Sequence, residues 1–229
     1  MGEFDFSVIY RSLGYLFLDG MRFTLTLTVL AALGGVVLGT LLALARLSPF
    51  KPLSWLAAGY INLLRSIPLL LVIFWFYFLV PYLGAWLTGA SRPIVVGAFW
   101  SAVVTFTLFE AAYFAEIVRA GIRSVPPGQT NAAYALGMNY PQAMLNVVLP
   151  QAFRNMLPVL LNQTIVLFQD TSLVYVLSMT DFLGAATNVA QRDGRLVEMY
   201  VFAALVYFLI SFALSRVVKR LQARNALAR

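Results

Sequence analysis

Four polar side chains stand inside long apolar stretches of this sequence: Arg65, Glu110, Gln163 and Asp170. A charge at the centre of a membrane helix costs about 2.5 kcal/mol or more on insertion scales, so such a residue is paired, reaches the interface or lines a polar cavity. A guanidinium group can hold a carboxylate through two parallel hydrogen bonds. Arg65 is therefore a candidate contact for an anionic substrate, with structural pairing near a helix end as the alternative.

The spacing of the other three residues indicates the helix faces that they occupy. Gln163 and Asp170 are seven residues apart, which places them on one face of a helix together with Val166. That face predicts either the lining of a cavity or a hydrogen-bonded contact between helices. Glu110 has no partner close in the sequence, and Arg65 on another helix is a hypothesis for it. The remaining candidates for a substrate pathway follow in the same stretch: Gln169, Thr171 and Ser172.

Three shorter patterns predict how the helices pack. Gly35 and Gly39 form a small-xxx-small pair that lets two helices approach closely. Glu116 and Arg119 have the i,i+3 spacing of a local ion pair near a helix end. Pro68 predicts a kink close to Arg65, because proline removes a backbone donor from the helix.

The composition indicates the solvent in which these elements lie. Of 229 residues, 61% are hydrophobic and 11% are charged, and the mean hydropathy is +0.83. Soluble domains carry about 25% charged residues, so this sequence predicts an all-α integral membrane protein. The sequence has no cysteine and no histidine, which excludes thiol and imidazole catalysis and the usual zinc sites. We therefore predict no catalytic residue and no metal site, and a protein that is not itself an enzyme.

About five apolar stretches are long enough to cross a membrane core, which takes about 20 residues of helix. The chain reads as one domain over residues 1–229, with an aromatic-rich interfacial segment at 1–20. The five predicted spans are 21–45, 55–80, 94–118, 153–178 and 197–214.

A polar interruption at residues 128–150 separates the third span from the fourth. Thr130 or Asn131 can cap a short helix that Gly137 ends, and a second short helix can begin near Pro141. The pattern predicts two short helices outside the membrane that offer a small apolar ridge to the groove of a partner, with an ordinary amphipathic connector as the alternative. The residues predicted to contact this partner are Asn131, Ala132, Ala133, Leu136, Gly137 and Tyr140.

The net charge of +7 lies mostly on one side of the predicted membrane, which favours the bilayer over nucleic acid as its partner. Under the positive-inside rule this side is the cytoplasm, the N-terminus is outside, the C-terminus is inside, and residues 128–150 face the cytoplasm. The basic residues predicted on this side are Arg46, Lys51, Arg119, Arg123, Arg154, Arg216, Lys219, Arg220, Arg224 and Arg229. The outer segments are nearly neutral, with Glu3 among their acids.

The sequence lacks a GxxxxGK[ST] phosphate loop, so it predicts no ATP site of that kind on this chain. If transport is driven by ATP, the ATPase must be a separate subunit.

Several stretches resemble the permeases of binding-protein-dependent ABC importers. NAAYALG at 131–137, followed by LPQA at 149–152, is similar to their coupling loop, with Asn131 in place of the usual glutamate. FQDTSLVYVLS at 168–178 resembles the Lys-Asp-Thr-Ser-Leu stretch of the polar amino-acid branch, with Gln169 in place of the lysine. RSIPLL, AAYFAEIVRAGIRS and QRDGRLVEM extend the resemblance over nearly the whole chain, and it is strongest to the members that import glutamate and aspartate.

The resemblance implies a type I importer permease fold with a cytoplasmic coupling helix, in the inner membrane of a bacterium. It also implies a heterodimer with a sister permease, with a homodimer as the less favoured form. The other implied partners are two cytoplasmic ATPases, which bind ATP and magnesium, and a periplasmic solute-binding protein that sets most of the selectivity.

Three alternatives stay open from the sequence. A permease of the same class for basic or amide amino acids keeps the mechanism and changes the substrate. An ATP-independent channel or carrier needs no cytoplasmic coupling element, and five spans are too few for the two inverted repeats of a typical secondary carrier. A structural membrane protein does not need a polar face at Gln163 and Asp170.

Overall fold

The computed structural model describes residues 4–94 and 96–227, with side chains described as far as residue 223. Within these ranges the chain is helical and contains no strand. Glu3, Arg229 and the side chain of Arg224, which contribute to the charge pattern above, lie outside the described part, as do residues 1–3 and 95 of the predicted segments. The helices are α1 (Phe6–Leu47), α2 (Lys51–Arg65), α3 (Leu69–Thr88), α4 (Ala98–Arg123), α5 (Pro127–Ala135), α6 (Tyr140–Leu177), α7 (Phe182–Asp193) and α8 (Leu196–Leu227).

Five of the described helices are long and apolar enough to cross a membrane, which confirms the predicted number of spans. They are α1, α3, α4, α6 and the Leu196–Ala223 part of α8. Helices are the expected form, because a backbone in lipid must satisfy its hydrogen bonds within its own segment. The short helices α2, α5 and α7 connect the five.

The second span differs from its predicted position. The sequence predicts one kinked helix over 55–80, but α2 ends at Arg65 and a new helix begins at Leu69. Pro68 has no N–H group and disfavours helical geometry at the preceding Ile67, so the chain breaks here. The membrane-crossing helix is α3, Leu69–Thr88, and Arg65 lies at the break.

The N-terminal segment is also continuous with the first span. The prediction separates 1–20 from 21–45, whereas α1 runs without interruption from Phe6 to Leu47. A π-helical turn at Tyr15–Met21 takes the place of the expected boundary. Val8 and Leu16 are fully buried against α7 and α8, so this part of α1 packs on the bundle.

Close contact between α1 and α4 forms the centre of the bundle. A Cβ atom at Gly39 would lie 2.7 Å from Phe114 Cβ and 2.9 Å from the carbonyl oxygen of Ala111. A Cβ atom at Gly35 would lie 3.0 Å from the ring of Phe114. Both glycines therefore permit the close approach that their spacing predicts, and Phe114 is fully buried between the helices.

Residues 128–150 form the predicted helix pair only in part. The helix α5 begins at Pro127, not at a Thr130 or Asn131 cap, because Pro126 and Pro127 fix the entry of the chain. Gly137 has a φ of +80°, which confirms the predicted end. The next helix begins at Tyr140 with a capping box between Asn139 and Gln142. It is not short, since it continues into the fourth span as α6.

Ion pairs join the helices at both ends of the bundle. At the end that carries α5, hereafter the α5 end, Glu116 pairs with Arg119 as predicted and also with Arg46 of α1, at 3.5 Å. At the opposite end, the N-terminal end, Arg11 of α1 lies 3.0 Å from Asp193 of α7, and Arg195, next to α8, lies 3.9 Å from Asp5 at the start of α1 and 3.1 Å from Glu198.

The connection between α6 and α7 is fixed at the N-terminal end by Asp181. Its side chain accepts hydrogen bonds from the N–H groups of Leu183 (3.0 Å) and Gly184 (2.9 Å) and so caps α7. The N–H group of Phe182 donates to Thr24 Oγ1 of α1 at 3.0 Å. Burial raises the pKa of the Asp181 carboxyl to about 6, although the two N–H donors oppose this shift.

Candidate functional site

A cavity of about 440 Å³ lies between the α2–α3 break, α4 and α6. All four polar residues with which the sequence analysis begins line this cavity. The break between α2 and α3 contributes Arg65, α4 contributes Glu110, and α6 contributes Gln163 and Asp170. The other lining residues are Ser66, Ile67, Pro68, Leu69, Phe109, Tyr113 and Val166.

Arg65 is placed at the cavity by the end of its helix. The guanidinium carbon lies 5.4 Å from the centre of the Tyr113 ring, which is a cation–π distance. Among the residues that the structure describes, no ion pair occupies this guanidinium. Of the three alternatives for Arg65, the structure therefore shows the lining of a cavity.

Glu110 has a different partner from the one hypothesised. Gln163 Nε2 donates a hydrogen bond to Glu110 Oε2 at 3.1 Å, across α4 and α6. No ion pair joins Glu110 to Arg65 within the described ranges, so that hypothesis is wrong. The residue is 1% exposed, and its Oε1 atom is buried without a hydrogen-bond partner. Glu110 thus makes a contact between helices at the wall of the cavity.

The predicted polar face of α6 is present. Gln163, Val166 and Asp170 line the cavity together, as the seven-residue spacing indicates. The other three pathway candidates are placed elsewhere: Gln169 Nε2 donates to Ser211 Oγ of α8 at 3.1 Å, Thr171 is fully buried and donates to the carbonyl of Phe168, and Ser172 is not among the lining residues.

The predicted partner contacts around α5 form an exposed surface with one exception. Leu136 is 80% exposed and Tyr140 is 64% exposed, and Asn131, Ala132 and Gly137 are exposed as well. Ala133 is 3% exposed, because its side of α5 packs on the rest of the chain. The prediction that Ala133 offers its side chain to a partner is therefore wrong, and Tyr134 takes part in the exposed surface instead.

Sequence reasoning missed two features of this region. Tyr113 lines the cavity, and its ring makes a cation–π contact with Arg65. Its position three residues after Glu110 was a usable signal, since i and i+3 share a helix face. The pairing of Arg46 with Glu116 joins residues 70 positions apart, and nothing in the spacing indicates it.

A bundle of five apolar helices, with a charged cavity between them and an exposed short helix at one end, is the arrangement expected of a membrane transport subunit. Residues 35–226 match the family described as the binding-protein-dependent transport system inner membrane component, and the chain belongs to that family. It is a transport component rather than a catalytic one, and members of this class act with an ATPase and a solute-binding protein.

Curated relatives match this sequence over nearly its whole length. The sequence is 52% identical over 226 residues to the glutamate/aspartate import permease protein GltK of Escherichia coli, with 99% of this chain and 100% of the relative covered. It is 38% identical to the probable glutamine ABC transporter permease protein GlnM of Bacillus subtilis, with 91% and 93% covered.

Solved structures share the fold. A crystal structure of an amino acid ABC transporter with histidines superposes with a TM-score of 0.85 at 34% identity, covering 96% of this chain and 98% of the other. The inward-facing MetNI methionine ABC transporter has a TM-score of 0.64 at 23% identity, with 96% and 99% covered, which is a likeness of fold alone.

Proposed function

We propose that this chain is a permease subunit of an ATP-driven importer for glutamate and aspartate and forms half of its translocation pathway. The observation that carries the proposal is the 52% identity, over 99% of the chain, to permeases named for glutamate/aspartate import. The chemistry of the cavity supports the same substrate class.

The cavity offers complementary groups for an acidic amino acid. Arg65 supplies a guanidinium for a carboxylate, and it stands free of ion pairs to the described residues. Asp170 supplies an acceptor for an α-ammonium group, and Glu110 adds a second carboxyl group to the wall of the cavity. Gln163 holds Glu110 in place and can itself donate to a substrate oxygen. The Tyr113 ring, whose centre lies 5.4 Å from the guanidinium carbon, orients Arg65.

The partners are proposed on the same basis. Two ATPase subunits bind ATP with Mg²⁺, and one of them docks on the surface around α5 of this chain, where Leu136, Tyr140 and Tyr134 are large exposed side chains. Ala133 supports α5 from beneath. A sister permease supplies the other half of the pathway in a heterodimer, and a periplasmic protein delivers the substrate. Closure of the ATPase dimer moves α5, and α5 moves α4 and α6, to which it is joined.

The orientation in the inner membrane follows from the charges at the two ends. The α5 end carries the basic residues Arg46, Arg123 and Lys219 with few acids, while acids and bases are balanced at the N-terminal end. By the positive-inside rule the α5 end lies in the cytoplasm and the N-terminus in the periplasm. This places α5 on the side where ATP is available.

The second candidate is import of basic or amide amino acids. It is favoured by two acids, Glu110 and Asp170, beside one arginine, because two carboxylates suit a cationic side chain. Relatives named for glutamine and arginine transport are 38% and 33% identical, against 52% for the glutamate/aspartate permeases.

The test is uptake into proteoliposomes that contain the whole complex with its binding protein, with and without ATP in the lumen. We expect ATP-dependent uptake of glutamate and aspartate, and little of arginine or glutamine. Uptake of arginine or glutamine instead would overturn the substrate and keep the mechanism. Uptake that does not depend on ATP would overturn the transporter class and favour a channel or carrier.

A further inference from the structure

A second cleft of about 410 Å³ opens at the N-terminal end of the bundle, apart from the cavity of Arg65. Asp19 and Arg22 provide its charges, and Phe23 and Phe99 provide an aromatic wall. The two rings lie 5.5 Å apart in an edge-to-face arrangement. Thr26 and Thr180 complete the polar part of the lining. We refer to this site as the outer cleft.

The charges of the outer cleft differ from most of the other charges at this end, although Arg92 is likewise exposed and in no ion pair with a described residue. Arg11, Arg192 and Arg195 each have an acidic partner within 4.0 Å. Asp19 and Arg22 are both exposed, and neither has an ion-pair partner among residues 4–94 and 96–223. One cation and one anion thus face the same space without neutralising each other or a neighbour.

Asp19 and Arg22 lie three residues apart at the end of a π turn and form no ion pair with each other. Asp19 lies in the π-helical turn Tyr15–Met21, and Arg22 is the first residue after it. Single π turns within α-helices occur frequently at functional sites. Gly20 in this turn lies against α7, where an added Cβ atom would be 2.8 Å from Ala185 Cβ, so the turn is fixed to the bundle. Thr180 directly precedes Asp181, the cap of α7.

The outer cleft lies in line with the cavity lined by Arg65, Glu110, Gln163 and Asp170, hereafter the inner cavity. On α4, Phe99 of the cleft and Glu110 of the cavity are 11 positions apart, which is three helical turns and puts both on one face, roughly 16 Å apart along the axis. A fully buried apolar layer separates the two spaces, and its members include Leu27, Val72 and Phe106. A charged solute in the outer cleft therefore cannot pass inward until this layer opens.

We propose that the outer cleft is a waiting site for the zwitterionic head of a free α-amino acid. Arg22 binds the carboxylate, Asp19 binds the ammonium group, and Phe23 and Phe99 contact the apolar part of the molecule. The solute occupies this site after it leaves the binding protein and before the apolar layer opens. The proposal rests on the proposed import of amino acids and adds to it a second, outer binding site.

The absence of cysteine from the sequence allows a direct test. In Thr26→Cys the single thiol lies in the outer cleft, and in Thr88→Cys it lies outside it. The two threonines are matched, since each donates a hydrogen bond to the carbonyl four residues earlier. The complex is reconstituted in vesicles of phosphatidylcholine and phosphatidylglycerol without binding protein. Labelling of this chain by an impermeant maleimide is followed by mass spectrometry at increasing L-glutamate.

We expect L-glutamate at millimolar concentration to slow the labelling of Thr26→Cys and to leave Thr88→Cys unchanged. Loss of one charge-assisted hydrogen bond typically weakens binding by about tenfold or more, so Arg22→Gln and Asp19→Asn should each raise the half-protecting concentration by that factor. Arg11→Gln removes the same charge at the same end, outside the cleft, and should leave protection intact. Protection should also persist in Arg65→Gln, which alters only the inner cavity.

Four results would overturn the inference. The first is that millimolar L-glutamate does not slow the labelling of Thr26→Cys. The second and third are that Arg11→Gln weakens protection as much as Arg22→Gln does, or that Arg65→Gln abolishes protection. The fourth is that vesicles containing phosphatidylethanolamine protect the thiol without L-glutamate. The last would assign the cleft to a lipid head group, which carries the same two charges. ATP-dependent uptake is measured on the same preparation with binding protein added: uptake without protection overturns this inference alone, whereas absence of ATP-dependent uptake overturns the proposed function.

Discussion

Arg65 is the side chain on which the selectivity proposed for the inner cavity depends. It ends α2 at a break in the membrane-embedded part of the chain and rests on the ring of Tyr113, and no described residue pairs with it. Its guanidinium group is exposed, so it is available for a bidentate contact with a substrate carboxylate.

We predict that Arg65→Gln lowers the rate of glutamate uptake at saturating binding protein by about tenfold or more, because charge-assisted hydrogen bonds contribute roughly 1.5–3 kcal/mol. Arg65→Lys keeps the charge without the bidentate geometry, so its rate of uptake should lie between those of the unaltered protein and Arg65→Gln. Uptake into proteoliposomes measures both.

Arg92→Gln is the matched control, since Arg92 is exposed between α3 and α4 and lies away from the cavity. Normal uptake by Arg65→Gln in a complex that retains its ATPase would show that Arg65 has a structural role only.

The residues of the inner cavity were predictable to different degrees. Gln163 and Asp170 follow from spacing on one helix, and the structure places both at the cavity. The partner of Glu110 did not follow, because a sequence does not state which helices are neighbours. Gln169 was misplaced for a related reason: it is adjacent to Asp170 but points about 100° away around the helix, toward Ser211.

At the scale of elements, the contact of α1 with α4 is the tightest that the structure describes around a glycine pair. We predict that Gly39→Ala destabilises the protein by about 1–3 kcal/mol through overpacking, in excess of the roughly 1 kcal/mol that alanine adds to helix stability. The added Cβ atom would meet Phe114 Cβ and backbone atoms, which cannot turn aside. The thermal midpoint of the protein in detergent measures the effect.

Gly59→Ala is the control, because no atom lies within 4 Å of a Cβ atom built at Gly59 in α2. Its midpoint should stay the same or rise. Equal midpoints for the two variants would show that α1 and α4 can separate at no cost.

The surface around α5 belongs to the same scale. We predict that Leu136→Ala uncouples transport from ATP hydrolysis and lowers uptake several-fold, since truncation of an exposed apolar anchor at an interface commonly costs more than about 1 kcal/mol. Leu87→Ala removes a leucine of similar exposure, 76% against 80%, at the opposite end of the bundle and should have little effect. ATPase activity and uptake are compared in one preparation. Coupling that survives Leu136→Ala would exclude this side chain as a transmitting contact.

Helix number was predictable, and helix continuity was not. Apolar length alone indicates five spans, since each must exceed the thickness of the membrane core. The break at Pro68, and the continuation of the helix that begins at Tyr140 into the fourth span, depend on how single turns are stabilised by their neighbours. A hydropathy profile does not resolve such turns, because it averages over about 19 residues.

At the scale of the whole molecule, the charge at the two ends predicts the orientation. A single cysteine at Ser91, at the N-terminal end, should react with an impermeant maleimide in intact right-side-out vesicles. A cysteine at Gly128, at the α5 end, should react only after the membrane is opened. Both positions are exposed, so exposure within the protein does not distinguish them. The reverse pattern would invert the orientation and separate α5 from cytoplasmic ATP.

Three of the described membrane helices contain a π turn, at Tyr15–Met21, Trp75–Leu79 and Met144–Val148. Each such turn holds a residue more than an α turn, so it sets the rotational phase between the helix segments on its two sides. Deleting one residue from Tyr15–Met21 would let the wide turn close as an α turn and would keep Phe6–Gly14 close to its present phase. Deleting one residue between Val8 and Tyr15, in the regular α-helix, would instead rotate Val8 by about 100° out of its buried contacts. Single-residue deletions in this chain should therefore be tolerated in loops such as 89–93 and better within the π turns than in the α-helical segments beside them.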